Sequence, residues 1–291
     1  MAVVIATGFF DGVHTGHRLV LRQLVAAASD RGLDSMVVTF WPHPRNVLQN
    51  DARNLRLLTT LEEKKLLLSA LGVDWVEVLP FTRDFSRHTT EEYIRDILIG
   101  SYGATTLVLG YDNRIGCDML PPFETVRIAE RLGLEVIRAP RSGEVSSTKI
   151  RTALLDGRVM DAAVMLGYNY SLHGVVVAGN RLGRTIGFLT ANMQLYEPLK
   201  LLPGNGVYSV DVETVGRRFR GMCNIGVRPT VSSGEHRTVE THIFDFDEDI
   251  YGLDIRVSFR EKIRDERAFP SLEALRAQLE QDKKMIIFAN K

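Results

Sequence analysis

Thr7-Gly8-Phe9-Phe10-Asp11-Gly12-Val13-His14-Thr15-Gly16-His17 decides the fold: it follows the apolar run Ala2 to Ala6 and precedes the amphipathic stretch Arg18 to Ala28. The order reads as strand, tight turn and helix start, with glycines that let backbone come close to a ligand. Free N–H groups and the positive end of the helix dipole meet at such a turn, which suits a phosphate. His14 and His17, three residues apart, add imidazole donors on one side of the first helical turn. Zinc would need further ligands, yet the only cysteines are Cys117 and Cys223 and no His-Glu-x-x-His occurs. Gly8-x-x-x-Gly12 is neither a dinucleotide fingerprint nor a Walker loop, and taken alone it would also serve as an ordinary βα turn.

Outward from this turn the first half alternates. Short apolar or β-branched runs at Ala2–Ala6, Ser35–Phe40, Trp75–Leu79, Thr105–Leu109 and Leu134–Ile137 are separated by helical patterns at Arg18–Ala28, Leu61–Leu71, Thr90–Ile99 and Phe123–Arg131. That alternation predicts a parallel sheet with helices on both faces and ligands at the carboxyl ends of its strands. Thr39-Phe40-Trp41-Pro42-His43-Pro44-Arg45 falls at one such end, its prolines fixing an extended turn that presents His43 and the aromatic pair. Leu58 to Lys64 opens a helix with Thr60 as N-cap and Glu63 completing a capping box, a structural reading. Gly110-Tyr111-Asp112-Asn113-Arg114-Ile115-Gly116 is a polar loop at the fourth strand end. It is not a calcium loop, since the twelfth position from Asp112 is Phe123. Val145 to Arg151 puts hydroxyls at a helix start and then Lys149 and Arg151, a place for a triphosphate and a leaving pyrophosphate as well as for a plain cap.

After a helical stretch at Val159–Leu166 the texture changes at Gly167-Tyr168, giving expected domains of 1–167 and 168–291. Short β runs at His173–Ala178, Gly206–Val215, Arg218–Asn224, Val239–Phe246 and Asp254–Ile263 predict a small antiparallel barrel, closed by a helix over Ser271–Ile287. The loop Gly179 to Asn192 carries spaced glycines and two arginines, and Thr190 and Asn192 offer hard oxygens to a magnesium ion. Glu240 is the best candidate to accept a proton from an attacking hydroxyl.

Lys+Arg and Asp+Glu both total 36, so no basic field recruits nucleic acid and no acidic surplus suggests disorder. No apolar stretch is long enough to span a membrane, Met1 to Phe10 lacks a basic leader, and two distant cysteines suit a reducing compartment. The expectation is a cytoplasmic protein, monomer or weak homo-oligomer, with no nucleic-acid or membrane partner.

The opening motif resembles the Gly-x-Phe-Asp-Gly-x-His-x-Gly-His signature of prokaryotic bifunctional riboflavin kinase/FAD synthetases. Thr39–Pro44, Val145–Arg151, Gly183–Asn192, Asn224–Thr230, Glu240–His242 and Arg264–Leu272 are similar to that family's further motifs, in its order. The resemblance implies a Rossmann-like nucleotidyltransferase domain followed by a kinase barrel, with ATP as co-substrate, magnesium as cofactor, and riboflavin, FMN and FAD as substrates and products. It implies ATP contacts at Gly8, Phe9, Asp11, Gly16, Ser147, Thr148, Gly183, Arg184 and Gly187. Flavin contacts would fall at Phe40, His43, Asp112, Asn224, Arg228, Arg264 and Glu266. Magnesium would sit on Thr190 and Asn192, and the chemistry on Glu240, His14, His17 and Arg151. Three positions depart from the pattern: Asn113 and Ile115 stand for aromatic residues, and Leu189 for proline. A nucleotidyltransferase acting on another phosphorylated substrate, or a non-catalytic flavin-binding protein, are the alternatives.

Overall fold

A computed structural model describes residues 2–48, 55–111, 113–140, 143, 145–179, 187–228 and 236–288. By its contacts the chain divides into Met1–Ser147 and Thr148–Lys291.

The first unit is built on β1 (Val3–Thr7), whose five residues are all buried, as expected of a strand covered on both faces. Around it lie β2 (Asp34–Trp41), β3 (Trp75–Pro80), β4 (Ala104–Leu109) and β5 (Glu135–Arg138), all parallel, in the order β3-β2-β1-β4-β5. Alternate residues of β1 feed two cores. Val4 and Ala6 pack with Leu21 and Leu24 of α1 (Thr15–Arg31), while Val3 and Ile5 pack with Ile94 and Leu98 from the opposite face. Strand order reverses between β1 and β4, which opens a crevice at their carboxyl ends, where Gly8 and Gly110 follow.

Local signals explain the helices. Gly32 ends α1 at φ +62° with Leu33 N donating to Ala28 O, a left-handed stop that glycine adopts freely. Short α2 (Pro44–Leu48) follows β2, so the chain turns helical where the sequence suggested an extended turn. The expected capping box opens α3 (Leu61–Ser69): Thr60 Oγ1 accepts from Glu63 N and Glu63 Oε2 from Thr60 N. A second box at Thr89 and Glu92 starts α4 (Thr90–Glu92), which continues as a π-helical segment over Tyr93–Ile99. α5 (Pro122–Arg131) completes the unit.

Helix α6 (Ser147–Leu155) starts at the last residue of the first unit, and in the second unit α7 (Val159–Leu166) leads into β6 (Ser171–Val177), β7 (Ala191–Leu195), β8 (Gly206–Thr214), β9 (Arg217–Arg228), β10 (His236–Ile243) and β11 (Asp254–Arg264). These form a closed antiparallel barrel, β10-β7-β6-β11-β8-β9. Strand β7 closes it, although Ala-Asn-Met-Gln-Leu has no β-branched residue to announce a strand. β10 stops at Ile243 rather than Phe246, because Phe244 N turns to Arg220 O and Asp245 takes φ +53°. The last helix, α8 (Leu272–Phe288), sets Leu275, Leu279 and Ile286 against Phe188, Val207, Met222 and Phe244.

Candidate functional site

At the carboxyl end of β1 the backbone bends tightly: Phe10, Gly12 and Val13 take φ of +52°, +82° and +38°. Only glycine adopts such angles freely, so Phe10 and Val13 hold a costly conformation of the kind that gathers at ligand sites. His14 is buried and caps α1, its Nδ1 accepting from His17 N at 3.3 Å. In the neutral ring this leaves the proton on Nε2. The His14 and His17 rings stack at 3.6 Å, 17° from parallel. Burial holds the His17 pKa well below the usual histidine value, helped by His14 and by the cation of Lys64. His17 is therefore a neutral donor at neutral pH, and its Nδ1 is buried with no hydrogen-bond partner among the described residues.

Asp11 faces inward, 4 % exposed. Its carboxylate accepts from Leu58 N and Thr59 N at 3.0 and 3.1 Å, and Thr59 Oγ1 in turn accepts from Gly12 N at 3.1 Å. It thereby ties the turn to the segment that opens α3, and its backbone carbonyl accepts from Ser147 Oγ at 3.0 Å. Two motifs 136 residues apart in sequence thus meet at one turn. Thr148 and Arg151 follow on α6 within little more than one turn of Ser147. Gly8 and Gly16 bracket the turn, and a Cβ at Gly8 would stand 3.3 Å from the Phe10 ring.

Beside the turn lies a cavity of about 440 Å³ at the carboxyl ends of β1 to β4, walled by Phe9, Phe40, Phe81, Phe85, Tyr93 and Ile115. The Phe40 ring centroid is 5.8 Å from Phe81 and 5.6 Å from Phe85, an aromatic lining suited to a flat heterocycle. His43 packs its ring 4.0 Å from Phe9 and fixes its Nδ1 on Arg45 N at 3.0 Å. Asn113 reaches back to donate to Thr7 O at 2.9 Å, and Ile115 fills the wall, so both departures are absorbed by the packing. Asp112 lies outside the described residues.

Sequence reading missed Lys64. It sits in the first turn of α3 with no exposed surface, donates from Nζ to Thr39 Oγ1 at 3.2 Å and stands 3.7 Å from the Phe9 ring centroid. Burial draws its pKa down to about 8 against the upward pull of Asp11.

In the barrel Glu240 of β10 is directly opposite Asn192 of β7 and Asn224 of β9, so the three project from one face. A cavity of about 290 Å³ takes in Thr190, Asn224, Glu240, Arg264, Glu266 and Phe269, with Leu275 and Leu279 of α8 as its lid. A second, of about 210 Å³, lies between Val176, Leu189, Thr241, Ile250 and Tyr251 and also touches Thr190. Thr190 is thus common to both. His242 Nδ1 donates to Leu189 O at 2.7 Å, a main-chain contact that leucine preserves where proline was expected. Burial lowers the His242 pKa although that hydrogen bond acts the other way. Asn224 Nδ2 is 3.5 Å from Glu266 Oε1.

The Thr190 hydroxyl and the Asn192 amide are hard oxygen donors of the kind magnesium takes when phosphates complete its shell. Gly179 leaves room for the amide, since a Cβ there would lie 2.0 Å from Asn192 Nδ2. The residues therefore fit that ion. Gly187, at φ +79°, turns the chain into Phe188 under α8. Gly183 and Arg184, and the side chain of Arg228, lie outside the described residues.

Two family models match the chain, FAD synthetase over residues 1–154 and riboflavin kinase over 166–287. A protein of Bacillus subtilis (strain 168), "Bifunctional riboflavin kinase/FMN adenylyltransferase", is 35 % identical over 290 residues, 98 % of this chain and 91 % of that one. Its namesake from Escherichia coli (strain K12) is 38 % identical over 285 residues, 96 % and 90 % of the two chains. A crystal structure titled as a macrolide-efflux protein from Streptococcus pneumoniae superposes with a TM-score of 0.89 at 32 % identity, covering 98 % of this chain and 94 % of its own.

Proposed function

The chain belongs to the bifunctional riboflavin kinase/FMN adenylyltransferase family, and on that premise we propose which residues carry each of its two reactions. It phosphorylates riboflavin to FMN with ATP and transfers AMP from a second ATP to FMN, giving FAD and pyrophosphate. The efflux title stays with the structure that bears it. Among the described residues no helix is long and apolar enough to cross a membrane. We set the functional junction at 167/168, beside the start of the region matched as riboflavin kinase.

The observation that carries the kinase assignment is the Asn224–Glu240–Asn192 row beside Thr190, where two cavities adjoin. Riboflavin lies in the cavity under α8, between Arg264, Glu266 and Phe269, and the nucleotide in the other. Glu240 accepts the proton of the ribityl terminal hydroxyl as that oxygen bonds to the γ-phosphorus and the β–γ bridge breaks. Thr190 and Asn192 would hold a magnesium ion, which would supply neutralisation of phosphate charge. His242, by holding the Leu189 carbonyl, fixes Thr190 next to it.

Adenylyl transfer belongs to the β1–α1 turn. An FMN phosphate oxygen, already anionic, attacks the α-phosphorus, so no general base is needed. His14 and His17 face the phosphoryl group as imidazole donors, His17 in its neutral form, while Ser147, Thr148 and Arg151 hold the leaving pyrophosphate. The flavin ring occupies the aromatic cavity by Phe40. FAD and FMN separated chromatographically after incubation with riboflavin, or with FMN, plus ATP and magnesium test this division. Glu240→Gln should abolish FMN formation and spare FMN-to-FAD conversion, and His17→Ala should do the reverse; equal loss of both activities in either variant would refute the assignment.

A further inference from the structure

Lys64 has no packing reason to be a lysine. A fully buried ammonium costs folding energy that an apolar side chain of the same length would not. Among the described residues no carboxylate lies within ion-pair distance of it. Asp11 is near enough to act on it electrostatically, but its oxygens are engaged by Leu58 and Thr59. What Lys64 does touch is the floor of the adenylyl site. Its Nζ donates to the Thr39 hydroxyl, which donates onward to Phe9 O at 3.2 Å, and its ammonium covers the Phe9 ring.

We propose that Lys64 is a positioning residue for adenylyl transfer, a buried cation beneath the β1–α1 turn that fixes the Phe9 backbone through Thr39 and presents positive charge to the triphosphate of ATP. The proposal rests on the reading that this turn receives ATP. The titratable groups facing Lys64 are Asp11 from the turn and His17 from α1, with His14 stacked on His17. β2 presents the neutral Thr39, and Glu63 of its own helix is bound to Thr60 N. Protonated Lys64 also discourages a proton on His17. With its pKa drawn down to about 8, the cation is present at neutral pH and lost in mild alkali.

The test is the rate of FAD formation from FMN by the full chain, at saturating magnesium, from pH 6.5 to 10, for wild type, Lys64→Met, Lys64→Arg and His17→Ala, with melting temperatures alongside. Lys64→Met should lose ~10- to 100-fold in kcat/KM at pH 7 while melting no lower than wild type, since it removes a buried charge. Wild-type activity should fall above about pH 8 toward the Lys64→Met level, and that fall should be absent in Lys64→Met and displaced beyond pH 10 in Lys64→Arg. A flat wild-type profile to pH 9.5, an unimpaired Lys64→Met, or a Lys64→Met that keeps the alkaline fall would each overturn the proposal. So would an activity loss matched by a lower melting temperature. If His17→Ala makes FAD at the normal rate, the reading of the turn itself fails; if His17→Ala is impaired and Lys64→Met is not, only the role of Lys64 fails.

Discussion

Arg264 ends β11 and reaches α8, where one oxygen of Asp282 accepts from its Nε and Nη2 at 2.9 Å each. The Asp282 side chain is wholly buried, and Gln278 donates to its other oxygen at 2.7 Å. Replacing Asp282 by Leu keeps the forked shape of the side chain but leaves the guanidinium, 17 % exposed, without its anion. Removing one partner of a buried pair costs about 3–5 kcal/mol, and the residual exposure of Arg264 places this case near 3 kcal/mol. At roughly 2–4 °C per kcal/mol for a unit of this size, the barrel transition should fall by roughly 6–12 °C. Leu275 and Leu279 of the same helix cover the cavity that holds Arg264 and Glu266. A loosened α8 should therefore raise the riboflavin KM several-fold and leave FMN adenylylation unchanged in the same sample. Scanning calorimetry of the full chain and chromatography of the flavins read both effects. Adding Arg264→Met should recover most of the melting loss without restoring the kinase, because Arg264 also faces the cavity. An Asp282→Leu chain that melts and binds riboflavin as wild type would show that the pair does not latch α8, and the reasoning would fall with it.

Lys64 makes a stability prediction of definite sign. A lysine whose folded value is about 8 and whose unfolded value is 10.5 binds fewer protons when folded, so stability should rise with pH across that window, by roughly 3 kcal/mol at 1.36 kcal/mol per pH unit. Lys64→Met should flatten the rise in denaturant titrations, and a wild-type slope that survives the substitution would contradict the assignment. For His17 the window lies on the acid side: its depressed pKa means stability should drop as pH falls below about 6.5, and His17→Gln should lessen that drop. Gly179→Ala should push Asn192 aside and raise the magnesium concentration needed for half-maximal FMN formation, with adenylylation as the internal control. An unchanged magnesium curve would count against Asn192 as a ligand.

Much of the architecture was legible because backbone covering and side-chain pattern agreed. A strand buried on both faces must be apolar throughout, as Val3 to Thr7 nearly is, and alternation marks a barrel strand such as β6. β7 was not legible, since Ala191, Asn192 and Gln194 carry no strand preference and the pairing with β6 and β10 alone makes it a strand. Within the site, the Gly8–His17 turn announced itself through residue types, but its inner bonds did not. That Asp11 caps the approach to α3, or that His14 uses one ring nitrogen on its own helix, depends on contacts with partners that no spacing reveals.

The two side chains that the sequence reading passed over share one physical signature. On α3 the buried face runs through Lys64 and Leu68, with Leu67 and Leu71 packed beside it, whereas the adjacent Lys65 pairs with Glu62 at the surface. On α8 the stripe Leu275, Leu279, Asp282 and Ile286 has helical spacing throughout, with a carboxylate where a hydrocarbon would be expected. A charge inside an apolar stripe is informative because burial removes its solvation, so it persists only where a counter-charge or a ligand repays that loss. For Asp282 the counter-charge is present in Arg264. For Lys64 the described residues place a hydroxyl and an aromatic face in direct contact, and the Asp11 carboxylate acts on it electrostatically without a direct ion pair. Among the described residues no carboxylate pairs with it directly, and a nucleotide triphosphate at the strained turn above it is a charge that would complete the balance.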